Sequence, residues 1–112
     1  MKLTHLSNCL LAGLLFLAPL SAADIVATGL NNPRGITLSP DGDLYVAEAG
    51  KGGAGPCITG GDGAAQCFGN SGSITRIDLR THMQERVATG FPSLAAAGGG
   101  GAIGVHDISF QG

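Results

Sequence analysis

Between Asp24 and Gly112 no stretch of ten residues holds the 3.6-residue apolar period of an amphipathic helix. That points away from helical folds and leaves a series of short β-prone runs between turn residues. Ile25–Thr28 is the first run. Gly35–Ser39 follows, with Ile36 and Leu38 on one face. Pro40-Asp41-Gly42 then forms a turn, proline presetting φ and glycine accepting φ > 0. Leu44–Ala47 returns from it, and the two runs make a hairpin. Ser73–Asp78 is the next strand, Leu79–Gln84 turns the chain, Glu85–Thr89 completes four, and Val105–Phe110 begins another. Glycine fits this picture, with 20 of 112 residues, well above the usual share of about 7%. It follows no three-residue period, so it signals turns rather than a collagen helix.

The pattern repeats. Val26-Ala27-Thr28-Gly29-Leu30 returns as Val87-Ala88-Thr89-Gly90-Phe91, 61 residues later. The first copy leads into Pro33-Arg34-Gly35-Ile36-Thr37-Leu38-Ser39. The second leads, after a longer glycine loop, into Val105-His106-Asp107-Ile108-Ser109-Phe110. A recurring four-stranded antiparallel unit is the mark of a β-propeller blade. An ordinary antiparallel sandwich is the alternative. On the propeller reading, residues 24–112 hold the first blade and the start of the second, and the remaining blades of the same chain are the expected partners.

Residues 1–23 differ in character. Lys2 precedes an apolar run from Cys9 to Leu20, and Ser21-Ala22-Ala23 supplies small residues before Asp24. This is the layout of a secretory signal peptide, preceding the β domain as a helix, with cleavage between Ala23 and Asp24. Twelve apolar residues span about 18 Å as a helix, short of the roughly 30 Å of a bilayer core. The expectation is an exported protein, periplasmic or extracellular, without a stable membrane anchor. Cleavage removes Cys9 and leaves Cys57 and Cys67, an even pair in an oxidising compartment, which reads as a disulfide. Free thiols or a metal pair are the alternatives, the metal weaker because no histidine lies near in sequence.

Residues 24–112 carry five basic and eight acidic side chains, a net charge of −3, with no basic run. Tryptophan is absent and tyrosine occurs once. Both observations argue against nucleic acid as a partner. In a meander the connections alternate between two edges of the sheet. Gly29–Arg34, Glu48–Gly72 and Gly90–Gly104 therefore share one edge as long loops, and long loops on a scaffold are where binding concentrates. Arg34, Glu48, His106 and Asp107 fall near that edge and are the candidate ligand-binding residues. Gly50-Lys51-Gly52-Gly53-Ala54-Gly55 matches a dinucleotide glycine pattern, but Pro56-Cys57 stands where the required helix should begin. Gly60-Gly61-Asp62-Gly63 is a single imperfect copy of a calcium-binding glycine repeat.

Several segments together resemble the ScyD/ScyE family. They are Gly29–Ile36, Ser39–Gly50, Gly55-Pro56-Cys57, Cys67-Phe68-Gly69, Gly72–Asp78 and Val105–Gly112. The Pro-Asp-Gly-x-Leu-Tyr-Val hairpin is shared with NHL-repeat and gluconolactonase-like propellers. The Gly-Pro-Cys segment and the Val-His-Asp-Ile-Ser-Phe-Gln-Gly end are more specific. The resemblance implies an exported bacterial propeller; members of that family are associated with clusters for the pigment scytonemin, many occur outside such clusters, and the family brings no established reaction. The leading expectation is a binding or scaffold module for a small molecule or protein. The alternative is an enzyme, a metal-dependent lactonase-like hydrolase or a quinone-dependent sugar oxidoreductase. A divalent cation would then be the cofactor, Glu48 and Asp107 its oxygen ligands, and His106 a proton carrier.

Overall fold

The computed structural model describes residues 23–111. Within them the chain is one antiparallel sheet of five strands: β1 (Pro33–Leu38), β2 (Leu44–Glu48), β3 (Cys57–Thr59), β4 (Ala65–Ile77) and β5 (Gln84–Ala96). The expected signal-peptide helix falls almost wholly outside the described residues. No helix among those described is long and apolar enough to cross a membrane.

β1, β2, the second half of β4 and the first half of β5 lie side by side in that order. The Pro40-Asp41-Gly42 turn joins β1 to β2 as expected, closed by Gly42 N–H donating to Ser39 O (3.0 Å) and Ser39 N–H to Asp43 O (2.8 Å). The β4–β5 turn is capped by Asp78, whose Oδ1 accepts from Arg80 N–H at 2.8 Å. That bond holds the Asp78 carboxyl below the usual carboxylate range.

Four expectations need correction. β4 begins at Ala65 rather than Ser73, and β5 continues to Ala96 rather than ending at Thr89. The expected long loops at 48–72 and 90–104 therefore contain strand. Phe68-Gly69-Asn70-Ser71-Gly72 has poor intrinsic β propensity, but pairing with β5 on one edge and bonds to residues 51–56 on the other outweigh it. Conversely, Ile25–Thr28 and Val105–Phe110 lie outside every ladder despite their β-prone composition, although residues 106–108 run beside the open edge of β1 with one main-chain bond to it, Gly35 N–H to His106 O.

The glycines of residues 50–55 serve close packing. This segment lies directly on β4, backbone against backbone. A Cβ on Gly53 would stand 2.7 Å from Gly69 Cα, and one on Gly52 would collide with Cys67 O. Gly52 also has φ +66°, a conformation side chains disfavour. Two serines fasten the segment down. Ser71 Oγ accepts from Lys51 N–H (2.8 Å) and donates to Gly52 O (2.6 Å). Ser93 Oγ accepts from Gly52 N–H (2.9 Å) and donates to Ala49 O (2.6 Å).

The apolar core is small: Val46, Ile77 and the alanines 47, 49, 95 and 102. Ser39, Glu48, Ser73, Thr75 and Ser93 are buried beside them. Among the described residues every buried side-chain polar atom has a hydrogen-bond partner. Polar networks thus carry part of the cohesion that larger apolar side chains supply elsewhere.

Cys57 and Cys67 sit directly opposite each other on β3 and β4 and are joined as a disulfide, with Cα atoms 4.0 Å apart. The next pair along, Pro56 and Phe68, takes the hydrogen-bonded position through Phe68 N–H to Pro56 O (2.9 Å). The cysteines therefore occupy a non-bonded position, where opposed side chains approach most closely.

Candidate ligand-binding face

The fold gathers the four candidate residues at one end of the sheet. Pro33 pairs with Glu48 across β1 and β2, and Arg34 follows Pro33. Gly35 N–H then donates to His106 O at 2.8 Å, which brings His106-Asp107 alongside β1. A Cβ at position 35 would meet Asp107 Oδ1 at 2.5 Å and His106 O at 2.7 Å, so this approach needs glycine.

Arg34, His106 and Asp107 are exposed. Arg34 Nη2 donates to Ala102 O at 2.8 Å, which steadies the guanidinium against the loop before His106. Asp107 Oδ1 accepts from Ile108 N–H at 2.8 Å. A cation, an imidazole and a carboxylate, all exposed, thus come from two adjacent segments. An apolar groove of about 450 Å³ reaches the same loop. Its walls include Phe68, Phe91, Leu94, Ile103 and Val105, the last preceding His106.

Glu48 stands apart from the other three. It is fully buried and both its oxygens are engaged. Oε1 accepts from Asn31 N–H (2.6 Å) and Arg86 Nη2 (2.8 Å). Oε2 accepts from Ser73 Oγ (3.0 Å), Thr75 Oγ1 and Arg86 Nε (3.2 Å). Burial pushes the carboxyl up, but the bonds from Arg86, Asn31, Thr75 and Ser73 outweigh it, and the pKa falls below the ordinary glutamate value. Glu48 in turn pushes the Arg86 pKa up.

Five hydrogen bonds within the chain thus occupy the carboxylate considered as a metal ligand. Glu48 and Asp107 do not fit a cation site, since Glu48 faces donors on both oxygens. Among the described residues no three His, Cys, Asp or Glu side chains cluster as metal ligands would.

Sequence reasoning passed over Arg86, Ser73 and Thr75, the partners that make Glu48 a structural node. A signal was present: Glu48 continues the inward stripe of Leu44 and Val46 at two-residue spacing. A charge on that stripe demands a buried partner. Asn32 also escaped notice. Its side chain donates to Gly50 O and Gly99 O, both at 2.8 Å, and ties three loops together. No protein-family model, curated protein or solved structure matches this chain.

Proposed function

We propose that residues 24–112 are the first blade and the opening strand of the second in an exported β-propeller. In this reading Arg34, His106, Asp107 and the adjoining groove bind a ligand that has an apolar body and a polar head. The resemblance to ScyD/ScyE proteins supports the same architecture. One observation carries the reading. The second motif copy runs alongside the first in the same direction, Gly35 N–H bonding His106 O (2.8 Å) and Thr37 Oγ1 bonding Ile108 O (3.0 Å). Phe110 then packs edge-on against Tyr45 with ring centroids 4.9 Å apart. A parallel step from one sheet to the start of another is what propagation of a repeated unit requires. The glycines ending the two Val-Ala-Thr-Gly copies also share a left-handed conformation, φ +70° at Gly29 and +81° at Gly90.

The binding role is tested by thermal-shift titration with aromatic and aliphatic compounds bearing carboxylate, phenol or amine heads. The expected result is a stabilising compound whose shift disappears in Arg34→Ala and His106→Ala. A shift that survives both substitutions puts binding elsewhere and removes the proposal. Export is tested separately, the mature protein being expected to begin at Asp24.

A further inference from the structure

The Cys57–Cys67 bridge holds a hairpin that has little else to hold it. All three residues of β3 are exposed, so the hairpin is tied by main-chain bonds and by the disulfide rather than by apolar burial. The Val46–Ile77 part of the core lies at the other half of β4. Cys57 is exposed and Cys67 is half-buried. Cys67 also lines a cavity of about 350 Å³, whose wall includes Lys51 and Gly98. The Lys51 stem packs against Gly99, where a Cβ would meet Lys51 Cγ at 3.1 Å.

We propose that Cys57–Cys67 is a thiol-exchange site for an external dithiol, with Cys57 Sγ the atom attacked and Lys51 the group that assists departure of Cys67. A thiolate of the dithiol bonds to Cys57 Sγ as the Cys57–Cys67 bond breaks. The electron pair leaves on Cys67 Sγ, in the cavity whose wall Lys51 shares and where a cation would stabilise thiolate, and a proton from solvent then completes the thiol. The second thiol of the reagent displaces Cys57 from the mixed disulfide. The reagent departs as its own disulfide, oxidised by two electrons, and the chain keeps two thiols. Residues 57–64 are then released from the edge of β4, while β2, β4 and β5 stay paired.

The test treats the folded protein with dithiothreitol and follows thiol appearance by alkylation and mass spectrometry. Reduction is expected to proceed without denaturant, about threefold slower in Lys51→Gln and near the wild-type rate in Lys51→Arg. Amide exchange should accelerate at residues 57–66 and stay slow at residues 44–48 and 73–77. A bridge that yields only after the sheet is unfolded overturns the proposal, as does a Lys51→Gln protein reduced at the wild-type rate. Loss of protection at 73–77 on reduction overturns the release of the hairpin as a local event.

Discussion

A carboxylate that is 0% exposed at Glu48 is tolerated because four residues from three parts of the chain converge on it. Arg86 supplies the charge, the hydroxyls of Ser73 and Thr75 come from β4, and Asn31 N–H belongs to the segment just before β1. Replacing the carboxylate leaves a partly buried guanidinium short of a partner. Glu48→Ala should therefore cost about 3 kcal/mol in urea denaturation. The pH dependence follows from the depressed native pKa. The unfolded chain binds this proton more readily than the folded one, so the contribution is complete above the ordinary glutamate value of about 4.3. It is lost as pH falls through that value toward the native pKa. The melting temperatures of wild type and Glu48→Gln should therefore differ most near neutrality and converge on acidification. A gap that widens on acidification would contradict this account. Little of this node was legible beforehand, because Glu48 and Arg86 lie 38 positions apart and meet only through strand register.

Among elements, β4 is the spine. It pairs with β5 along one edge, and with β3 and β2 in succession along the other. The bulges near Gly69–Gly72 bend it between those two partners. Glycine at 52, 53 and 69 lets residues 50–55 lie flat on this spine. Gly53→Ala forces the layers apart and should cost about 2 kcal/mol. Gly61, in the hairpin turn, faces open space, and a Cβ there would meet nothing within 4 Å. Gly61→Ala should change stability by no more than about 0.5 kcal/mol, toward gain. Equal effects of the two substitutions in thermal unfolding would show that close packing is not what residue 53 contributes. The turn at 40–42, β1, β2, the second half of β4 and the first half of β5 were readable from local composition. The extensions of β4 and β5 were not, since their stability comes from neighbours distant in sequence.

For the whole molecule, one apolar strip lacks a cover among the described residues. Ile36 and Leu38 are each 61% exposed, on the same face of β1 whose partners Val46 and Leu44 lie inward. In the propeller reading a neighbouring sheet packs there. In the purified chain the same strip favours self-association. Ile36→Glu with Leu38→Glu should raise the monomer fraction in size-exclusion chromatography. The cost in stability should be small, about 0.5 kcal/mol at each site, because neither side chain is buried. An unchanged oligomer distribution would remove this strip as the cause.

The all-β class, the first hairpin and the cysteine partnership follow from the sequence alone, because each rests on local periodicity, turn chemistry or the pairing of two thiols. The reach of β4 and β5, the flat seating of residues 50–55 and the burial of Glu48 were decided in three dimensions. Each depends on which strands become neighbours, and that choice minimises unpaired backbone and unpartnered charge over the whole sheet.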